Sequence, residues 1–433
     1  MKKFYLILLS AMLLSGCTSE KPVVEKPETI RFYVTSDTHL YNPEIVENKE
    51  LFDDLALNQG DGRLLNYAPE IFNAFIDEVI KTKPEFVLFT GDISLEGEKT
   101  SHQWIAKQLS RLIDNGIQPL VIPGNHDIMN PSSRTYGNPS SYINTVSAEE
   151  FASIYSDCGY SNALYRDENS LSYVYELRDN AWILMLDTAR YEENTVLGSE
   201  GTGSIRSETY DWIEEIAEIA KEKNVQLISS THHNIIKQNE YFSSDNTLLN
   251  TLKALRIFDE RDIRVNFSGH IHAQNINTKE KENGAITDIC SSSLLVYPSQ
   301  YGIVDYVPFK ELNYSTKAID ISTWASQNNN DPNLLDFPEY SYNYFKQSST
   351  SRGASRFKSS SHTAEEIAQL LDAKGTLNCY YFAGRILEIK DSFMASDFYS
   401  WLIEQDETTS GYILSMLKTN GLDPNKITID MSK

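Results

Sequence analysis

Short apolar runs alternate with amphipathic stretches over the first part of the chain. The runs have the length of β strands, and they lie at residues 30–35, 86–90, 120–122, 182–186, 226–229 and 265–267. Between them, apolar side chains recur three and four positions apart, which predicts helices at residues 71–80, 104–113, 207–221 and 246–258. Strands that alternate with helices are typical of an α/β domain.

The pattern changes after the last of these strands. Consecutive apolar runs predict further β strands at residues 286–295, 303–307 and 318–321. A polar stretch rich in Asn, Ser and Tyr follows at residues 326–361 and predicts a connector, after which the apolar spacing is again helical. We therefore expect an α/β catalytic domain over residues 30–322, and a connector with a smaller, mainly helical C-terminal domain over residues 323–433.

The N terminus predicts export from the cytoplasm. Two lysines precede an apolar run at residues 4–14, which is shorter than the roughly 20 residues that span a bilayer but suits a signal peptide. The run ends in Leu-Ser-Gly-Cys, which resembles a bacterial lipobox and implies cleavage before Cys17 and a lipid on its thiol. A plain secretory signal is the alternative. Residues 1–16 are then a lipoprotein signal peptide, residues 17–29 a tether, and the protein is held outside the cytoplasmic membrane.

Charge and cysteine content narrow the classes of partner. The formal net charge is −23, which repels polyanions and argues against long nucleic acid as a partner. Besides Cys17 the chain has Cys158, Cys290 and Cys379, which cannot all pair internally and do not form a CxxC motif. Neither a disulfide framework nor a thiolate metal site is therefore expected.

Five polar blocks each follow a predicted strand directly. They are Asp37-Thr38-His39, Gly91-Asp92, Gly124-Asn125-His126-Asp127, His232-His233 and Gly269-His270-Ile271-His272. Functional groups in α/β folds gather at the carboxyl ends of strands, so these blocks can meet at one point. Within the first and last blocks, side chains two positions apart would share one face of an extended chain. Carboxylate, amide and imidazole donors without sulfur favour Mn, Fe or Zn.

The five blocks resemble those of the calcineurin-like metallophosphoesterase family, over about residues 30–310. The GNHD and GHxH motifs are most similar to its cyclic-nucleotide phosphodiesterase branch, class III. This resemblance implies two packed β-sheets flanked by helices, and a centre with two divalent metal ions. It implies the following metal ligands: Asp37, His39 and His272 for one ion, Asn125, His232 and His270 for the other, and Asp92 between them. His233 remains an alternative to His232.

The resemblance also implies how such a centre works. His126 matches a histidine that is not a ligand but lies beside the leaving group, so Asn125 and His126 are expected to contact substrate. Two ions about 3.5–4 Å apart can hold a bridging hydroxide that attacks phosphorus, and we expect manganese to serve. Two divalent ions with Asp37, Asp92 and one hydroxide leave a single net positive charge, which favours a monoanionic phosphodiester over a dianionic monoester.

Three functions compete on this evidence. The first is hydrolysis of small phosphodiesters such as cyclic nucleotides, and the second is an extracytoplasmic phosphomonoesterase or nucleotidase. A non-catalytic binding lipoprotein is disfavoured because every ligand position is filled. Among other polar residues, we expect Asp127 to stabilise a turn or orient His126, Asp187 to have a structural role at a strand end, and His102 and His362 to be exposed.

Overall fold

The computed structural model describes residues 28–241, 246–354 and 362–432. The predicted signal peptide, Cys17 and nearly all of the predicted tether lie outside the described residues. Within the described residues, no helix combines the length and the apolar character needed to cross a bilayer.

The strands form two sheets. Their bounds are β1 Ile30–Thr35, β2 Phe86–Phe89, β3 Gln118–Val121, β4 Tyr165–Arg166, β5 Tyr173–Arg178, β6 Ala181–Leu186, β7 Gln226–Thr231, β8 Val265–Ser268, β9 Asn275–Glu280, β10 Ala285–Cys290, β11 Gln300–Val307, β12 Glu311–Ala318 and β13 Lys426–Asp430. The first sheet has the order β13-β12-β11-β1-β2-β3, and the second has the order β4-β5-β6-β7-β8-β10-β9. In the first sheet β1, β2 and β3 run parallel, as do β6, β7 and β8 in the second.

Helices cover the outer faces of these sheets and build the C-terminal region. Their bounds are α1 Lys49–Gln59, α2 Ala68–Thr82, α3 Lys99–Asp114, α4 Ala148–Ile154, α5 Ser207–Glu222, α6 Thr251–Glu260, α7 Ile321–Asn328, α8 Pro332–Leu335, α9 Phe337–Ala354, α10 Ala364–Phe382, α11 Lys390–Met394, α12 Asp397–Leu402 and α13 Glu407–Leu417. Helices α2 and α3 pack on the first sheet, and α5 and α6 on the second.

The two sheets pack face to face around one apolar core. Phe32 on β1 contacts Phe267 on β8 edge to face, with ring centroids 5.6 Å apart. Phe86 on β2 contacts Tyr175 on β5 in the same way at 5.8 Å. This is the pair of packed sheets flanked by helices that the sequence resemblance implies, and the fold prediction is confirmed.

The C-terminal region is mainly helical, as predicted, and differs from the prediction in two details. Helix α9 occupies much of the polar stretch predicted to be a connector, because its aromatic residues Tyr344 and Phe345 are buried against the rest of the protein. After α13 the chain returns to the first sheet as β13, where Lys426 lies opposite Ser315 on β12.

One predicted strand has the wrong position, and another, at residues 286–295, is shorter than predicted because β10 ends at Cys290. The run at residues 318–321 was expected to be extended, but β12 ends at Ala318 and α7 begins at Ile321. The Asp320 side chain accepts a hydrogen bond from the backbone N–H of Thr323, which satisfies a donor at the helix start and stabilises the turn into α7.

Candidate metal centre

Five strand ends meet at one edge of the packed sheets. Strands β1, β2 and β3 of the first sheet and β7 and β8 of the second end at this edge, and each is followed by one of the polar blocks. The predicted ligands Asp37, His39, Asp92, Asn125 and His232 are buried, and His270 and His272 are half-buried. The structure therefore brings all seven predicted ligands together.

Their backbone conformation differs from what the sequence suggested. Five of the seven have a left-handed backbone: Asp37 with φ 50°, His39 with φ 36°, Asp92 with φ 46°, His270 with φ 71° and His272 with φ 58°. Residues other than glycine seldom adopt this backbone conformation, and those that do are found most often at functional sites. The two-residue spacing therefore does not act through a shared strand face. After β1 and after β8 the backbone turns sharply, and each turn directs both of its ligand side chains toward the centre.

A network of hydrogen bonds holds these turns in place. The backbone N–H of Asp37 donates to Gly91 O at 3.1 Å, and that of His39 donates to Asp92 O at 3.0 Å. The backbone N–H of His270 donates to Asp37 Oδ2 at 2.9 Å. Residues from the first, second and fifth blocks thus fix one another, although they are distant in sequence.

Four side chains form the first group of donors: Asp37, His39, Asp92 and His272. His39 Nε2 lies 3.1 Å from His272 Nε2 and 3.8 Å from Asp92 Oδ2. Asp37 Oδ1 lies 3.3 Å from His272 Nε2, and this buried oxygen has no hydrogen-bond partner among the described residues. A divalent cation among these atoms would satisfy it, so the residues present fit a metal ion.

The second group contains Asn125, His232 and His270. Asp92, counted in the first group, also lies next to this second group. His232 Nε2 is 3.1 Å from Asn125 Oδ1, 3.2 Å from His270 Nδ1 and 3.4 Å from Asp92 Oδ2. His232 Nδ1 lies 2.8 Å from Thr90 O, to which it donates. Nε2 is then the nitrogen left to ligate a cation, and it faces the amide oxygen of Asn125 and the carboxylate of Asp92 that could share the ion.

His233 lies close to this group but its ring nitrogens have other partners. Its Nε2 atom lies 3.2 Å from Gly201 O, and its Nδ1 atom lies 2.9 Å from the Thr188 hydroxyl. The imidazoles of His232, His233 and His270 are near enough to share an ion. Of the adjacent residues His232 and His233, His232 is therefore the one with a nitrogen directed at Asp92.

The two central carboxylates are held in the charged form. Burial would raise the pKa of Asp92, but the neighbouring His232 and His126 hold it well below its usual range. For Asp37, His272 likewise outweighs burial and lowers the pKa. Burial, with the nearby Arg63 charge, holds the pKa of His39 well below its usual range, so this imidazole is neutral. Charged carboxylates and neutral imidazoles are the forms that ligate divalent metals.

His126 lies beside the centre rather than in either donor group. Its backbone N–H donates to Asp92 Oδ1 at 2.8 Å, and its ring meets that of His39 edge to face at 5.0 Å. Nδ1 lies 3.1 Å from Leu95 O and 3.3 Å from Glu96 Oε2, and the side chain is 24% exposed. Burial lowers its pKa, but Asp92 and Glu96 raise it to about 9. Glu96 lies outside the polar blocks, and nothing in the sequence singled it out.

Other polar residues near the centre have structural contacts. Asp127 is buried and accepts backbone N–H bonds from Gly124 and Ser94, both at 2.8 Å, so it stabilises the turn that carries Asn125. His102 is fully buried, contrary to the prediction that it is exposed. It lies on the inner face of α3, 2.8 Å from Asp127 O and 3.0 Å from the Tyr155 hydroxyl.

The two remaining predictions concern residues farther from the centre. Asp187 is buried and accepts N–H bonds from Leu171 at 3.3 Å and Ala189 at 3.1 Å, which is a structural role at the end of β6. His362 is half-buried rather than exposed, because its ring packs against Trp401 with centroids 5.8 Å apart.

Comparison with known families agrees with this architecture. Residues 30–274 match the calcineurin-like phosphoesterase family, which is more than half of the chain. The protein belongs to this family, and it is a metal-dependent phosphoesterase. Residues 320–423 match a second description, the C-terminal domain of cyclic nucleotide phosphodiesterase.

Solved structures found to be similar share little sequence with the chain. A dimetal phosphatase from Danio rerio is 11% identical, with a TM-score of 0.47 over 67% of this chain and 96% of that one. A purple acid phosphatase from yellow lupin seeds is 11% identical, with a TM-score of 0.41 over 67% of this chain and 51% of that one. A comparison with curated proteins finds no match.

Proposed function

We propose that the protein hydrolyses small phosphodiesters, among them cyclic nucleotides, at a centre with two divalent metal ions. The observation that supports the diester is the match of residues 320–423 to the C-terminal domain of cyclic nucleotide phosphodiesterase, in the same chain as the phosphoesterase domain. The match supports the choice of a cyclic nucleotide as substrate, and the residues of the metal centre support the hydrolysis of a phosphoester.

The residues divide between the ions as follows in this proposal. Asp37, His39 and His272 hold one ion, Asn125, His232 and His270 hold the other, and Asp92 serves both. The oxygen and imidazole donors suit manganese, iron or zinc, and we favour manganese. Two such ions, when bound, supply Lewis acidity that activates water and neutralises charge on the phosphate.

His126 serves the leaving group in this proposal. Its Nδ1 atom donates to Leu95 O and is close to Glu96 Oε2, which fixes the ring and keeps a proton at Nδ1. Nε2 is then the atom that can carry a proton to the departing oxygen. Because the side chain is partly exposed, that proton can be restored from solvent. A positioned acid of this kind contributes roughly 10²- to 10⁴-fold in rate.

The sequence-based charge count needs revision once the surroundings of the centre are included. Glu96 and a protonated His126 offset one another, but Arg63 adds a positive charge close to His39. The surroundings therefore accommodate a dianionic phosphate as well as a monoanionic one. The preference for diesters then depends on the C-terminal match and not on charge.

The experiment that tests the function compares phosphodiesters with phosphomonoesters. Manganese-loaded protein is assayed with bis-p-nitrophenyl phosphate, p-nitrophenyl phosphate, and 2′,3′- and 3′,5′-cyclic nucleotides, with Asp92→Asn as the inactive control. We expect diesters to have the higher kcat/KM. A strong preference for the monoester would overturn the diester proposal in favour of a phosphomonoesterase.

We further propose that a lipid on Cys17 anchors the protein outside the cytoplasmic membrane, where small phosphoesters rather than long nucleic acids are its substrates. The support is the lipobox-like Leu-Ser-Gly-Cys sequence and the net charge of −23. Expression in a bacterial host should place the wild-type protein in the membrane fraction with incorporated fatty acid. A Cys17→Ala variant that still incorporates fatty acid would exclude this anchor.

A further inference from the structure

A buried arginine lies beside the centre without a counterion. Arg63 follows α1 in a loop that we call the arginine loop, residues 60–65, and it is only 7% exposed. Its Nε atom donates to Gly60 O at 2.9 Å. Among residues 28–241, 246–354 and 362–432, its terminal nitrogens have no hydrogen-bond or ion-pair partner. These nitrogens are not among the fully buried polar atoms that lack a partner, so they remain accessible to an anion that enters the site.

The charge of Arg63 acts on the residues of the active centre. Burial is the main cause of the low pKa of His39, and the Arg63 charge is the second. The same charge opposes the rise in the pKa of His126 and helps to lower that of Glu96. These effects indicate that the Arg63 charge lies near His39, His126 and Glu96.

Hydrogen bonds connect the arginine loop to the ligand turns. The backbone N–H of Leu64 donates to Leu295 O at 2.7 Å, and that of Leu295 donates to Ser293 Oγ at 3.2 Å. Ser293 Oγ in turn donates to Asp37 O at 2.7 Å. The backbone of the arginine loop is therefore tied to the turn that carries Asp37.

Helix α9 of the C-terminal region packs on the arginine loop. Gly62 has φ 84°, and a Cβ atom there would lie 2.5 Å from Cδ2 of Phe345. Phe345 is 2% exposed, and it belongs to a small apolar cluster with Val296 and Cys379. The ring thus fills the space directly above the residue before Arg63, and the C-terminal region limits where the loop can move.

We propose that Arg63 binds a non-bridging oxygen of the substrate phosphate, and that helix α9 holds the arginine loop in the position this requires. The planar guanidinium is always charged and offers paired N–H donors that match phosphate oxygens. The inference rests on the proposed function only in that the centre accepts a phosphoester. It gives the C-terminal region a role in substrate binding that applies to monoesters and diesters alike.

The test uses full-length protein loaded with manganese and three variants. Arg63→Met removes the charge and keeps a long side chain. Arg63→Lys keeps the charge and removes the paired N–H donors of the guanidinium. Arg178→Met is the matched control, because Arg178 is 11% exposed and paired with Glu85 near the start of β6, at the far end of the strands. The probe is inorganic phosphate as a competitive inhibitor, and metal content and melting temperature are measured for each variant.

We expect Arg63→Met to raise the inhibition constant of phosphate and KM by roughly ten- to a hundredfold, since a hydrogen bond to a charged group is lost. Arg63→Lys should give a smaller rise, and Arg178→Met should stay within twofold. Metal content should not change. A folded, metal-loaded Arg63→Met with wild-type phosphate affinity would overturn the proposal, and if that variant does not fold, wild-type affinity in Arg63→Lys would do so. If the wild-type protein prefers monoesters, only the diester proposal is refuted, and the proposal for Arg63 stands.

The role of α9 is tested by a double-mutant cycle. Phe345→Ala should weaken phosphate binding in the wild type, because the arginine loop loses its support. In the Arg63→Met background the same change should have no further effect on phosphate binding. An equal effect of Phe345→Ala in both backgrounds would show that α9 does not act through Arg63.

Discussion

Nδ1 of His232 lies 2.8 Å from the backbone oxygen of Thr90. A carbonyl oxygen only accepts, so Nδ1 carries a proton and Nε2, which faces Asp92 and Asn125, is the nitrogen left to bind a metal ion. His233, the next residue, has both ring nitrogens bonded elsewhere. One hydrogen bond thus distinguishes the roles of two adjacent histidines, which the sequence alone cannot distinguish.

Replacing the two histidines should therefore give different results. His232→Ala should lower metal affinity by roughly a hundredfold or more, beyond the range seen when residues that support a ligand are changed. His233→Ala should retain metal, since its contacts are with Thr188 and Gly201. Metal content after dialysis, measured by mass spectrometry, checks both variants. If His233→Ala lost as much metal as His232→Ala, the assignment would be reversed.

His126→Asn should keep both metal ions and lose rate. We expect kcat to fall by roughly 10²- to 10⁴-fold for substrates with a poorly acidic leaving group, because the positioned acid is missing. The loss should be much smaller for p-nitrophenyl esters, whose leaving group needs no proton. Steady-state kinetics with both substrates tests this, and a loss that does not depend on the leaving group would contradict the role of His126.

Removing metal should affect stability as well as activity. Asp37, His39, Asp92 and His272 come from three separate segments of the chain, and an ion bound to this group would link those segments in the folded state. Chelation should abolish hydrolysis and lower the melting temperature by several degrees, by the loss of ligand binding to the folded state. Added Mn²⁺ should restore both properties. Unchanged melting after complete removal of metal would mean that the ions do not contribute to folding.

Glu98 should make stability depend on pH. It is fully buried, and burial raises the pKa of its carboxyl from its usual value near 4.5 to about 7. Its contribution to stability is therefore complete below about pH 4.5 and is lost as pH rises to about 7. Glu98→Gln should gain up to roughly 3 kcal/mol relative to wild type between these limits.

Chemical denaturation at pH 5 and pH 8 measures this difference. Glu176→Gln is the control, since Glu176 is exposed on β5 and should change stability equally at both values. A Glu98→Gln variant whose free energy of unfolding follows wild type at both pH values would show that the carboxyl titrates normally in the folded protein.

The positions of the ligands could be predicted because they follow directly from strand ends. A strand that is apolar throughout, such as β2, identifies itself in the sequence, and the parallel topology then places Asp92 at the common edge. The left-handed turns could not be predicted, since they depend on bonds such as that from His39 N to Asp92 O between distant segments. The strand pattern and the motifs together therefore predicted which residues are neighbours, and the predicted backbone conformation was wrong.

Residues outside the strand ends were missed for a related reason. Arg63 and Glu96 lie in loops with no repeating pattern, and only the folded chain brings them to His126. His102 was predicted to be exposed because its helix begins with polar residues, whereas the inner face of α3 turns that imidazole toward Asp127. Local composition at the start of a helix does not reveal which of its polar side chains the core covers.

The pairing of β13 with β12 changes how the chain can be dissected. The backbone N–H of Thr316 donates to Asn425 O at 3.1 Å, so the chain departs from the first sheet and returns to it at neighbouring points. The helices α7 to α13 are therefore an insertion between two paired strands, not a C-terminal extension. Truncation after β12 would remove β13 from the sheet. Joining the end of β12 directly to the start of β13 would remove the helices and keep every strand of the sheet.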